Sequence, residues 1–129
     1  MAIVPAMPIK WTISHPDRMV TVAVDGEITL SQAEEYLDAV VVADAMAYAK
    51  LLDCTTMVTY VDDDEMMRLG ARMRAYSSIL KGGPLVFVVT TPEIHDYVRR
   101  YINLASADRP VKIVKTVDQA RAWLKTQTY

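Results

Sequence analysis

A chain of 129 residues suffices for one ordinary globular core and leaves no room for a second, so residues 1–129 are expected to form a single domain. Apolar residues make up 52% and charged residues 23%, which excludes a disordered chain, and a net charge of -2 with no clustered basic face excludes nucleic-acid binding by phosphate neutralisation. No stretch reaches the roughly 20 apolar residues that span a bilayer, and the start Met1-Ala2-Ile3-Val4-Pro5 has no basic region leading into a long apolar run, so a cytoplasmic location is expected.

Residues 1–9 read as an N-terminal tail. Trp11 to Ser14 and Met19 to Val24 are strand-like runs around the turn His15-Pro16-Asp17-Arg18, which makes the opening a hairpin closed by Gly26. Thr29 and Gln32 have capping-box spacing, and Leu30, Ala33, Leu37, Val40 and Val41 recur at helical intervals, giving a first helix. Lys50 to Cys54 reads as a buried strand followed by a loop, Thr55 to Val61. Asp62 and Glu65 repeat the capping-box spacing, and Met66, Leu69, Gly70, Met73 and Leu80 mark one face of a second helix. Leu85 to Val89 is apolar on both faces after a Gly82-Gly83-Pro84 turn, as suits a central strand covered on both sides. Thr91 caps a third helix with Pro92 at its first position and a stripe of Ile94, Tyr97, Val98, Tyr101 and Ile102. Val111 to Val114 is a last strand, and Thr116 to Gln127 a last helix with Ala120, Trp123 and Leu124 facing inward.

The expected order is ββαβαβαβα: an α/β fold with a mixed sheet of about five strands, a leading antiparallel hairpin then parallel strands, and about four helices. In such sheets the functional rim lies outside the carboxyl ends of the parallel strands. Here that rim gathers Cys54 to Val61, Thr90 to Pro92 and Lys115 to Val117, and the acidic run Asp62-Asp63-Asp64-Glu65 borders it.

Reaction chemistry finds little support. His15 falls in a turn and His95 on a polar helix face, with no motif joining either to a nucleophile, and no serine has a nucleophile-elbow context. Cys54 is the single cysteine, is incapable of an internal disulfide, and has no basic neighbour to activate it; a buried structural thiol is expected. The consecutive carboxylates lack the alternating Asp-x-Asp pattern and the glycine of a calcium loop, and they would repel a nucleotide phosphate at that helix start. No enzyme activity, cofactor or metal is expected.

Carboxylates at a helix N-terminus accept orphan amide protons and complement the helix dipole, which is reason enough for the acidic run. The neighbouring loop is unusually apolar for a surface connection: Met57, Tyr60 and Val61 either tuck under the second helix or present a contact patch. Methionine adapts to irregular surfaces and tyrosine carries an apolar body with a polar tip, both suited to docking. Met66, Met67 and Met73 read as packing and not as a cofactor box.

From Trp11 to Leu124 the chain resembles the SpoIIAA-like branch of the STAS domains. The resemblance is carried by Trp11-Thr-Ile, by Val-Asp25-Gly26-Glu-Ile-Thr29, by Lys50-Leu-Leu-Asp53, by the Asp62 helix start and by Ala120-Arg-Ala-Trp123-Leu124. It implies the STAS fold and a non-enzymatic protein-binding role. In anti-anti-sigma members the second helix starts with Asp-Ser, and phosphorylation of that serine blocks partner binding. By position Asp62 matches the aspartate and Asp63 the serine, so this chain departs at the regulated residue and resembles a permanently charged state.

The leading expectation is therefore an interaction module that docks a regulatory protein partner through Met57, Tyr60, Asp62, Asp63, Asp64, Met67 and Arg68. The same patch would also serve a homodimer. The alternative, from the likeness in fold to Sec14-type lipid carriers, is a small hydrophobic ligand enclosed around Tyr60, Met67, Tyr97 and Tyr101. That reading requires an unfilled apolar space of at least about 300 Å³.

Overall fold

A computed structural model describes residues 8–58, 62–105 and 109–127. Its elements follow the expected order: β1 (Ile9–Ser14), β2 (Met19–Gly26), α1 (Leu30–Val42), β3 (Ala49–Met57), α2 (Asp63–Ser77), β4 (Leu85–Val88), α3 (Pro92–Ala105), β5 (Val111–Val114) and α4 (Val117–Leu124). The five strands form one sheet in the order β1-β2-β3-β4-β5. The hairpin β1-β2 is antiparallel, with Ile9 opposite Val24, and every later pairing is parallel. Sequential parallel order needs a helical crossover at each step, and α1, α2 and α3 supply them.

Period-two alternation divides the core between the two faces of the sheet. Val20, Val22 and Val24 of β2, Cys54 of β3, and Leu85 and Phe87 of β4 pack against Leu37 and Val40 of α1, Leu69 and Met73 of α2, and Ile94 and Val98 of α3. On the opposite face Ala49, Leu51, Val86 and Val88 pack with Ala120 and Leu124 of α4. β4 is therefore buried on both faces, as its unbroken apolar run requires.

The helix starts follow side-chain chemistry. At α1 the Thr29 hydroxyl accepts from the Gln32 amide at 3.2 Å while the Gln32 side chain accepts from the Thr29 amide at 2.9 Å, a complete capping box. Thr116 caps α4, its hydroxyl accepting from the Gln119 amide at 3.1 Å, while the Gln119 side chain accepts from the Lys115 amide at 3.0 Å. Gly26 ends β2 at φ +74, a backbone conformation that glycine tolerates. Gly83 is fixed by space: a Cβ there would stand 2.3 Å from the carbonyl oxygens of both Ala47 and Tyr48.

Four elements differ from expectation in their bounds. β1 begins at Ile9, whose side chain is buried, so the last residue of the expected tail belongs to the sheet. β3 runs on to Met57, because Thr56 and Met57 pair with Asp25 and Gly26 of the long β2; Thr55 to Met57 are strand and not loop. α2 ends at Ser77, leaving Leu80 beyond the helix, and α4 spans fewer residues than the expected Thr116 to Gln127.

Candidate functional site

The site is built at the amino-terminal end of α2. Asp62 takes an extended backbone and its carboxylate accepts the Glu65 amide at 2.8 Å, satisfying one of the helix's orphan donors. Asp63 and Asp64 stand exposed in the first turn, where the helix dipole favours negative charge. Asp63 is also met from outside its own helix: the Arg100 guanidinium of α3 donates to it at 2.6 Å, with both side chains largely in solvent.

One step further along α2 the two methionines part. Met66 is 1% exposed and packs into the core, whereas Met67, turned about 100° round the helix, is 55% exposed. Arg68 is exposed, and among the described residues no ion pair joins it to Asp64 or Glu65. Asp62, Asp63, Asp64, Met67 and Arg68 therefore share one accessible helix start, with Val58, 48% exposed, just past the end of β3.

Met57 does not belong with them. It is 7% exposed, because the extension of β3 turns its side chain under the helices, and the expected contact patch loses it. Tyr60 and Val61 lie outside the described residues.

α2 is held firmly enough to present this surface. Arg72 reaches Asp38 of α1 at 2.8 Å and Glu34 at 3.0 Å, and Tyr76 donates to Asp38 at 2.5 Å. The Tyr76 hydrogen bond, then Arg72, hold the Asp38 carboxyl below its ordinary pKa. On the other side Gly70 lets α3 approach, since a Cβ there would lie 3.1 Å from Leu104, and Arg74 donates to the Leu104 carbonyl. Sequence periodicity carries no sign of Arg100 or of this clasp, since each joins residues more than 30 positions apart in the chain.

Among the described residues no three His, Cys, Asp or Glu side chains converge as metal ligands. His15 is exposed and pairs with the Tyr48 hydroxyl at 2.8 Å, while His95 is half-buried at the carboxyl rim. Cys54 is buried, and burial pushes its thiol up to about 12.

Between the sheet and the first three helices lies an apolar cavity of about 80 Å³, reached by Met57, Leu69, Tyr97 and Tyr101. Tyr97 and Tyr101 thus line a space as the ligand reading expects, but Met67 points away from it, and the volume is well below the roughly 300 Å³ of a typical ligand pocket. No helix among the described residues is long and apolar enough to cross a membrane.

No protein-family model matches the chain, and no curated protein does. Solved structures do match. The anti-sigma factor antagonist SpoIIAA in its unphosphorylated form aligns over 92% of this chain and 99% of its own, at TM-score 0.59 and 12% identity. An anti-sigma factor antagonist from Mycobacterium paratuberculosis aligns over 95% and 99%, at 0.54 and 20% identity. A DUF3478-family protein with a SpoIIAA-like fold from Shewanella loihica PV-4 aligns over 90% and 91%, at 0.59 and 15% identity. Identities this low speak of architecture alone, and the architecture is plain: this chain has the STAS/SpoIIAA-like fold.

Proposed function

We propose that the protein is a non-enzymatic, cytoplasmic interaction module that docks a regulatory protein through the start of α2, with Asp62, Asp63, Asp64, Met67 and Arg68 as the contact set and Arg100 at its border. The observation that carries this reading is Met67: a large apolar side chain, more than half exposed, on a rigidly held helix ringed by charge. An apolar anchor inside a polar rim is the usual anatomy of a docking site. The anti-sigma factor antagonists with this fold suggest the kind of partner, an anti-sigma factor or a similar regulator. Asp63 stands where the resembling proteins carry a serine and offers no hydroxyl to a serine kinase, so docking here is not switched by phosphorylation at that position.

Acidic side chains beside the anchor suit a partner with a basic rim, and such contacts weaken as salt screens them. The reading is tested by affinity capture with tagged wild-type protein, Met67→Asp and Asp63→Lys in parallel. A protein held by the wild type and lost with both variants supports the module. Proteins held equally by all three, with each variant folded by circular dichroism, refute it. A homodimer through the same patch would show as a doubled mass in solution that Met67→Asp halves.

A further inference from the structure

The sheet ends at β5, and no strand of the described residues lies beyond it. In a parallel ladder alternate residues direct their backbone groups to opposite neighbours. The Leu85 amide donates to the Pro110 carbonyl at 2.9 Å and the Val89 amide to the Val114 carbonyl at 2.9 Å, so Pro110, Lys112 and Val114 face β4. The amides and carbonyls of Val111 and Ile113 therefore face outward, a template for one more strand. The Lys115 amide, next in the same row, is taken by the Gln119 side chain of α4 at 3.0 Å, which closes the row at that end.

Beside this edge an open groove of about 680 Å³ runs between β5 and α4. Val114 and the half-buried Trp123 give it an apolar wall, exposed Lys112 and Lys115 stand along it, and among the described residues no acidic side chain lines it. The two lysines are three positions apart, which on a strand is about 10 Å. Lysines on an edge discourage pairing between identical copies: β5 laid against β5 of a second copy would bring like charges together across the ladder. An acidic strand turns the same charges into attraction. Trp123 adds a flat apolar surface for a side chain held between the two charges. Edge, groove and charge thus select one ligand pattern, acidic-x-apolar-x-acidic, since alternate residues of a strand share a face.

We propose that β5 accepts an extended acidic segment of another protein as an added strand, its alternate side chains lying against Lys112, Trp123 and Lys115. Main-chain hydrogen bonds to Val111 and Ile113 supply affinity, and the groove supplies the preference for acidic residues. The start of α2 takes no part in the groove, so this surface and the docking surface on α2 stand or fall separately.

The probe is the peptide Ser-Glu-Val-Ile-Val-Glu-Ser, labelled with fluorescein at its amino end and amidated at the other, titrated with protein and followed by fluorescence anisotropy. It is compared with a peptide carrying Gln for both Glu, and with one carrying Pro-Pro-Pro for Val-Ile-Val, which keeps both charges and removes the central amides. The expected result is saturable binding to the wild type that weakens as salt is raised. Binding should be at least tenfold weaker with the proline peptide and with the double variant Lys112→Glu/Lys115→Glu, and several-fold weaker with the glutamine peptide. In the saturated complex, amide exchange at Val111 and Ile113 should slow while the start of α2 exchanges as in the free protein. Both substitutions fall at exposed positions, and the peptide comparisons carry the test should the double variant fail to fold. The proposal is overturned by a proline peptide that binds as tightly as the parent, by binding unchanged in the folded double variant, or by no saturable binding up to millimolar concentration. Val111 and Ile113 amides already protected in a dimer of the free protein, with the mass measured by sedimentation, would give the edge to a second copy and overturn it as well.

Discussion

Lys50 makes stability rise with pH where most proteins are flat, and replacing it with methionine should remove that rise. Burial, aided by the Arg109 charge, brings its ammonium down from 10.5 to about 7. A displacement of that size corresponds to on the order of 5 kcal/mol of preference for the neutral amine in the folded state. The folded pKa is the lower one, so between about 7 and 10.5 the unfolded chain binds more protons, and stability climbs by at most about 1.4 kcal/mol per pH unit. Cys54 works the other way. Its folded value lies above its unfolded one, so stability is lost above about pH 9, with Tyr101 and Tyr36 adding to the loss above about 10. Wild-type stability should therefore increase by roughly 2 to 3 kcal/mol from pH 7 to 9, level off and then fall. Lys50→Met keeps the side-chain length and removes the charge, leaving the Met46 and Tyr48 carbonyls without their donor at about 1 to 3 kcal/mol each. That loss is independent of pH, so the variant should be flat from pH 6 to 9 and fall beyond. Urea unfolding across pH 6 to 10.5 measures both curves, and a wild-type curve as flat as the variant's over pH 7 to 9 would refute a neutralised buried lysine.

Asp62→Ala removes the cap of α2 and should cost about 1 kcal/mol by urea unfolding, while Asp63→Ser, which leaves the cap in place, should leave stability within about 0.5 kcal/mol. Met66→Ala opens a void at a fully buried position and should cost about 2 to 5 kcal/mol in the same assay, against a change within about 0.5 kcal/mol for exposed Met67→Ala; similar losses at both would contradict the opposite facing of the two side chains. Gly83→Ala forces a methyl against the Ala47 and Tyr48 carbonyls and should lower the thermal midpoint by several degrees at least, because one of those carbonyls also holds Lys50.

Patterns with a local cause were legible in the chain. Thr29 and Gln32 announce α1 because both halves of a capping box lie three residues apart, and Leu85 to Val88 announce a strand buried on both faces because every residue is apolar. The end of β3 was hidden because nothing local in Thr55-Thr56-Met57 separates a strand end from an apolar connection; it is strand because β2 is long enough to pair with it. The partition of Met66 from Met67 needs the helix's rotation relative to the sheet, and the Asp63–Arg100 pair needs the packing of α2 on α3. The interior position of Arg109 is still further from local pattern: an arginine before a short strand reads as surface, and only the close approach of Gly82 and Gly83 makes room for it.

The central claim, a docking surface at the start of α2, is tested most directly by hydrogen–deuterium exchange on the protein bound to a partner obtained by differential capture. Exchange should slow in the first turns of α2, Asp63 to Arg68, with α3 around Arg100 protected to a lesser degree and α4 unchanged. Protection centred on β5 and α4, with the α2 start exchanging as in the free protein, would contradict it.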